Sequence, residues 1–365
     1  FQAEDGIRDF CLSRGLGDVY KRQVVNMSIG LEDDLDYCER AIKNGSLSFH
    51  AASKLLPRNV RNSCLALYAF CRLADDEVDL KEDKSASVYD LVERLDQVYS
   101  GKPRNLPMDR AFTRMVEETQ MPKALPEALI EGLVWDAMER RYKTFEELVA
   151  YSARVASAVG VMMCVIMRQR DSNVLARACD LGVAMQLTNI ARDIGEDARE
   201  GRLYIPLNWM NEVGVNPKLF LEAPAPTPEI RGLAHRLLSK AEILYQRSES
   251  GIVCLPRTVR PAMFSARHIY AAIGQEIRKN GFDSISQRAK TTRRKKLGLL
   301  LLSCAQSSAS LLLPGPATLY APPLEQTKFL VTAAELRKPE DSDWSDRFIS
   351  VLEQLRQRDL EQYGT

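Results

Sequence analysis

From residue 33 onward, apolar residues return at intervals of three and four in block after block. Leu65, Tyr68, Ala69 and Leu73 step this way, as do Ala128, Leu129, Gly132 and Leu133. The same period recurs over residues 148–167, 176–194 and 230–245. That spacing stacks side chains on one face of an α-helix, whereas a half-buried strand needs alternation at every second residue. No stretch sustains such alternation with β-branched enrichment. Breakers separate the blocks: Pro57, Gly101 and Pro103, Pro122 and Pro126, the proline-rich run at 223–228, and Pro256. No internal repeat of solenoid length is present. The pattern predicts an all-α protein built as a single large bundle, although 365 residues would also accommodate about two domains.

Fifty Lys+Arg balance 49 Asp+Glu for a net charge of +1, which argues against a protein that coats nucleic acid. No run reaches about 18 uninterrupted apolar residues, so no transmembrane helix is expected. The eight cysteines are scattered without a CxxC, and three histidines leave little material for a zinc cluster. The cysteines read as buried free thiols in a reducing cytoplasm.

Residues 1–23, FQAEDGIRDFCLSRGLGDVYKRQ, follow neither a helical nor a strand period. They lack the apolar core of a signal peptide, and their acidic residues argue against a transit peptide. AEDGIRD and SRGLGDVYKRQ resemble translated sequencing adapter, so a genuine start is expected near Met27. The expected organisation is a non-native segment at 1–23, one domain at 24–350 and a tail at 351–365. Near the C-terminus, residues 288–296 pack six basic residues into nine positions, followed by the apolar run 297–302. Two readings fit: a solvated helix start leading into a core helix, or a peripheral contact with an anionic membrane. The first is preferred, because Gln306, Ser307 and Ser308 interrupt the apolar run.

The chemistry concentrates in two segments. In residues 71–79, CRLADDEVD, Asp75 and Asp79 lie four apart and share a helix face, with Arg72 three residues before Asp75. Like charges at this spacing cost a helix about 0.2–0.5 kcal/mol unless something neutralises them. In residues 181–206, LGVAMQLTNIARDIGEDAREGRLYIP, Gln186, Asn189, Asp193 and Asp197 form one polar stripe on an otherwise apolar helix. A water-facing stripe would carry Lys and Glu rather than this Gln-Asn-Asp-Asp set. Two aspartate pairs, each beside an arginine (Arg72 and Arg192), suit Mg²⁺, which takes hard oxygens from one or two carboxylates plus substrate phosphates. Arginine forks suit the phosphate oxygens.

On these residues the chain resembles the squalene/phytoene synthase family, most closely its purple-bacterial, phytoene-forming branch. YSARVASAVG at 151–160, with Met163 and Ile166, resembles the first family signature, and residues 181–206 match the second throughout. GSLSF at 45–49, ARHIY at 266–270 and residues 286–288 resemble further active-site segments; the resemblance spans roughly residues 33–350. It implies the isoprenoid-synthase helical bundle with a central cavity. It implies Asp75, Asp79, Asp193 and Asp197 as metal ligands, with Mg²⁺ or Mn²⁺ bound alongside substrate diphosphate. Ser46, Ser48, Arg72, Arg192, Tyr270 and Arg288 fall where the family meets diphosphate, and Tyr151, Gln186 and Asn189 where it lines the reaction cavity. Leu47 stands where many relatives carry Lys, leaving Ser46 and Ser48 as hydroxyl donors. His50, beside Phe49, reads as a packed histidine rather than a base.

The implied reaction joins two geranylgeranyl diphosphates head to head through a cyclopropyl diphosphate, with no NADPH. The alternatives are a squalene or dehydrosqualene synthase using farnesyl diphosphate, or a catalytically dead helical scaffold. Ala153, Val155, Ala156, Ala158, Val159, Val161, Met162 and Met163 fit either a cavity wall for prenyl tails or ordinary helix packing. The expected setting is cytoplasmic, with no nucleic-acid partner.

Overall fold

The computed structural model describes residues 30, 32–45, 47–80, 84–311, 317–335, 351 and 354. The segment 1–23 and the proposed boundary near residue 350 lie outside the described residues. Among those described there is no strand. The helices are α1 (32–45), α2 (Leu47–Ser53), α3 (Arg58–Leu80), α4 (Lys84–Tyr99), α5 (Pro107–Thr119) and α6 (Ala124–Ala137). There follow α7 (Phe145–Ser152), α8 (Ala158–Ile166), α9 (Ser172–Arg199), α10 (Leu207–Glu212), α11 (Pro217–Glu222) and α12 (Pro228–Ile252). The order closes with α13 (Arg260–Lys279), α14 (Arg293–Ala309) and α15 (Lys328–Ala334).

The breakers act as start signals. Proline occupies the first turn of α5, α12 and α13, where its missing N–H costs nothing. Asp171 caps α9, its carboxylate accepting from the backbone N–H groups of Asn173 (3.0 Å) and Val174 (3.1 Å). At 28 residues, α9 is about 42 Å long and forms the spine. Val174, Leu175 and Cys179 at its start join one apolar cluster with α3, α5, α6 and α8. Leu187, Ile190 and Ile194 further along join a second cluster with α12 and the end of α13.

Between α7 and α8 the helix widens into one π-turn, Ala153–Ser157. The stretch Phe145–Ile166 is 22 residues long and apolar enough to cross a bilayer, although the sequence holds no uninterrupted apolar run of about 18 residues. Its position settles its role: Ala153, Ala158, Val161 and Met162 are completely buried, so this is a core helix. The π-turn is wedged between α6 and α9 by two glycines. A Cβ on Gly182 would lie 2.6 Å from the Ser157 backbone, and one on Gly132 would lie 2.6 Å from Val155 Cγ1. Ser157 Oγ donates to the Cys179 carbonyl at 2.8 Å, locking the crossing.

A wholly buried ion pair ties α9 to the segment after α14. Arg177 Nε lies 2.9 Å from Asp180 Oδ2, and both side chains have no exposure. Arg247 of α12 approaches the same carboxylate oxygen at 3.0 Å. Arg177 donates to the carbonyls of Thr318 (2.7 Å) and Pro322 (3.4 Å), Arg247 to that of Pro322 (2.9 Å), and Arg170 to that of Ala334 (2.9 Å).

Residues 297–302 do not form the core helix expected from their composition. In α14 only Ser303 and Ser307 are buried, while Leu297, Leu301 and Leu302 are exposed. Hydropathy counts leucines without telling which way they face. Here the helix leans on α13 through its serines.

Candidate active site

A cavity of about 340 Å³ lies between α2, α3, α8, α9, α12 and α13. Its lining is mostly apolar, and the ambiguous residues between the two signatures now separate. Val155, Ala156, Val159 and Met163 line the cavity. Ala153, Ala158, Val161 and Met162 belong to the packed core. The π-turn makes this division: an extra residue in one turn shifts the phase of the helix and re-aims every side chain beyond it.

The polar stripe of α9 runs along the cavity and out of it. Gln186 and Asn189 line the wall, and Asn189 Oδ1 is buried without a hydrogen-bond partner. One turn on, Asp193 is clamped by two arginines. Arg192 Nε donates to its Oδ1 at 2.8 Å and Nη2 to its Oδ2, while Arg288 Nε reaches Oδ1 at 2.7 Å and Glu196 at 3.1 Å. Burial works against the Asp193 carboxylate, yet the hydrogen bonds and charge of Arg192 and Arg288 outweigh it and hold its carboxyl below the usual range. Asp197, a further turn along, is placed oppositely. Burial above all pushes its carboxyl up to about 7, with Asp193, Glu200 and Asp136 acting the same way. Arg202, at 3.7 Å, only partly offsets this.

The α3 half is more open. Arg72 bridges Asp75 (3.2 Å) and Asp76 (2.6 Å), and all three are 40–48% exposed. Arg72 and Asp76 also border a second depression, of about 530 Å³, between α1 and α3. Asp79 follows Asp75 by one turn on the same helix, but its side chain lies outside the described residues. Ser46 also lies outside them, and of Ser48 only the helical backbone in α2 is described. His50 Nε2 lies 3.6 Å from Glu39 of α1. The two halves meet through aromatic rings. Tyr68 of α3 and Tyr270 of α13 both line the cavity, with the Phe49 ring 6.4 Å from one and 5.5 Å from the other. Tyr68 senses the charges of Arg72 and Asp75, and Tyr270 those of Arg192 and Asp193. Burial pushes the Tyr270 phenol up to about 12, so it stays protonated and able to donate.

Tyr151 is not among the residues lining this cavity. It is buried beside it, donating to Asp136 Oδ2 at 2.7 Å, while Tyr204 donates to Asp136 Oδ1 at 2.8 Å. Asp136, Tyr204, Arg202, Glu196 and Tyr68 do not stand out as site residues in the sequence. Asp136 had only a weak signal, a carboxylate next to Trp135 near the end of the apolar helix α6, which also carries Glu127 and Glu131. Tyr204 and Arg202 lie in the RLYIP stretch, where they pass as motif rather than machinery.

A profile of the squalene/phytoene synthase family matches residues 42–295, which is more than half of the chain. The chain belongs to this family. A phytoene synthase of Cereibacter sphaeroides is 55% identical over 336 residues, covering 89% of this chain and 94% of that protein. One from Rhodobacter capsulatus is 51% identical over 333 residues, covering 90% and 97%. The crystal structure of a dehydrosqualene synthase with bound ligand superposes with a TM-score of 0.71 at 31% identity, over 76% of this chain and 98% of that one. A squalene synthase from Alicyclobacillus acidocaldarius superposes with a TM-score of 0.65 at 25% identity, over 70% and 96%. The helical bundle is thus the isoprenoid-synthase fold, with its cavity at the centre.

Members of the squalene/phytoene synthase family act on prenyl diphosphates with a divalent metal, and the residues present fit such an ion. The donors are hard oxygens, Asn189 Oδ1 is buried and unpartnered, and Asp197 is a half-buried carboxylate short of positive charge. Among the described residues no three carboxylate, thiol or imidazole groups converge as a ready-made cage. That suits an ion completed by substrate phosphate and water rather than by protein alone.

The raised Asp197 carboxyl has a measurable consequence. Between about pH 4 and 7 the folded protein keeps a proton that the unfolded chain releases, so this group lowers stability as pH rises through that window. In metal-free buffer, Asp197→Asn is expected to be more stable than the parent at pH 7.5. The gap should close as pH falls toward about 4. Urea unfolding in EDTA at both pH values checks this, and an equal gap at both would contradict it.

Proposed function

We propose that this chain joins two molecules of geranylgeranyl diphosphate head to head through prephytoene diphosphate to 15-cis-phytoene, a C40 precursor of carotenoids. The observation that carries the reading is a mostly apolar cavity whose wall continues, along α3 and α9, into the aspartate-bearing turns. The 55% identity to a phytoene synthase over most of both chains favours the C20 substrate over the C15 one. In balance, two diphosphates leave with their bonding electron pairs and two protons are lost, one as the cyclopropane closes and one as the central double bond forms.

The site residues divide the work. Asp75, Asp79, Asp193 and Asp197 would hold the metal, with Mg²⁺ favoured and Mn²⁺ an alternative. Bound there, the ion supplies charge neutralisation for the departing diphosphate. Arg72, Arg192 and Arg288 carry guanidinium forks suited to phosphate oxygens, and Tyr270 adds a phenolic donor. Ser46 and Ser48 are assigned to the same diphosphate contact on sequence alone. Gln186 and Asn189 give the apolar cavity its polar wall, and Tyr151 is held beside it by its hydrogen bond to Asp136. Enclosure keeps water from quenching the allylic cations. Free thiols at all seven described cysteines, four of them buried, support a cytoplasmic setting.

The test is product analysis. The purified full chain with Mg²⁺ and geranylgeranyl diphosphate, and no reductant, is expected to yield phytoene and two diphosphates per turnover. If that substrate stays untouched while farnesyl diphosphate becomes squalene with NADPH, or dehydrosqualene without it, the C20 reading is wrong. Release of no diphosphate from either substrate would leave only the non-catalytic scaffold.

A further inference from the structure

Helix α14 is built inside out. A surface helix ordinarily turns its apolar stripe to the core and its polar face to water. Here the inward contacts are polar. Ser303 Oγ lies 2.9 Å from His268 Nδ1, Lys295 Nζ donates to Glu276 at 2.6 Å, and Gln306 Nε2 to Glu249 at 3.5 Å. The outward face carries Leu297, Leu301 and Leu302 at 60%, 67% and 52% exposure, with Leu311 just beyond the helix at 49%. Leu297 and Leu301 are one turn apart, so they form a stripe rather than scattered exposure. Among the described residues nothing covers it.

The charge around this stripe is one-sided. From residue 289 to residue 324 the chain carries five Lys and Arg and no Asp or Glu, within a protein of net charge +1, and of these Lys295 is paired with Glu276 of α13. Arg293 and Arg294 are exposed in the first turn of α14, at the edge of the leucine stripe. An apolar stripe bordered by cations matches one kind of surface, in which negative headgroups lie over hydrocarbon.

We propose that α14 docks the protein on an anionic lipid bilayer, with Leu297, Leu301 and Leu302 entering the boundary between headgroups and acyl chains and Arg293 and Arg294 meeting the phosphates. The docking helix has a direct relation to the cavity. It packs on α13 at His268, and two residues either side on that helix, Ala266 and Tyr270 line the cavity from the opposite face. A single helix then stands between the bilayer and the apolar interior.

The experiment is co-sedimentation of the full-length protein with phosphatidylcholine vesicles containing or lacking phosphatidylglycerol, over a range of salt. Binding is expected only to the anionic vesicles and should weaken as salt rises, the Debye length being about 8 Å at physiological ionic strength. A Leu297→Gln/Leu301→Gln variant should lose at least about tenfold in affinity, and Arg293→Gln/Arg294→Gln should lose binding and salt dependence together. Leu219→Gln, at an equally exposed leucine on α11, should bind like the parent. All these changes are at exposed positions, and unaltered circular dichroism and turnover in vesicle-free buffer confirm an intact fold. Binding indifferent to anionic lipid, or unchanged in the double leucine variant, overturns the proposal. So does a self-associated form that the leucine variant abolishes in vesicle-free buffer, which would assign the stripe to a second copy of the chain.

Discussion

Replacing Asp193 by Asn is expected to cut turnover about a thousandfold or more while leaving the protein folded. The change keeps the shape and one acceptor oxygen but removes the charge on which Arg192 and Arg288 converge and which is assigned to the metal. Removing a single preorganised electrostatic contact at a reacting centre typically costs 10²–10³ in rate, and here one substitution disturbs both the ion and the two guanidiniums. Stability should change little, because lost pairing with arginine is set against relieved repulsion with Asp197. Diphosphate release measured against Mg²⁺ concentration, alongside a thermal melt, separates the two effects. Near-parental turnover at saturating Mg²⁺ would remove Asp193 from the metal site, and the same test applies to Asp75→Asn.

The largest expected effect on stability comes from Arg177→Met. Arg177 and Asp180 are wholly buried, and burial already pushes the Asp180 carboxyl up against the opposing charge of Arg177 and Arg247. Removing Arg177 leaves the buried Asp180 carboxylate with Arg247 alone and strips the Thr318 carbonyl of its guanidinium donor, while Pro322 keeps Arg247. Breaking a buried pair in this way costs about 3–5 kcal/mol, whereas exchanging both partners for apolar residues is often nearly neutral. The Arg177→Met/Asp180→Leu protein should therefore recover much of the loss in urea unfolding. A single variant within about 1 kcal/mol of the parent would show that the pair is not the constraint its burial implies.

What was legible in the sequence was whatever depends on near neighbours. The three–four period announced the helices, and the i,i+4 aspartates could share a face only if the segments were helical, as they are. The polar stripe from Gln186 to Asp197 was readable as cavity-facing because its residue types were wrong for water. Contacts between distant segments were not legible. Asp136 gains its meaning from Tyr151 and Tyr204, the second of which lies 68 residues away. The π-turn adds a residue to one turn, which a count at 3.6 per turn cannot register, so cavity wall and core stayed mixed in 153–163. The run 297–302 misled for a simpler reason, since periodicity reveals a stripe without saying whether protein or something else lies against it.

The arginines that reach for the segment after α14 also set a timetable. Arg177 and its Thr318 acceptor are 141 residues apart, and Arg170 and Ala334 are 164 apart. At the usual pace of about 5–20 residues per second, a ribosome takes roughly 7–30 s to cover that distance. Throughout that interval α9 can be helical and partly packed, but the guanidinium at the end of its cavity has no carbonyls to receive it. A transcript cut short of residues 318–334 would produce a chain with both catalytic signatures but with the buried Arg177 guanidinium left without its Thr318 acceptor, a substrate for proteolysis rather than an enzyme.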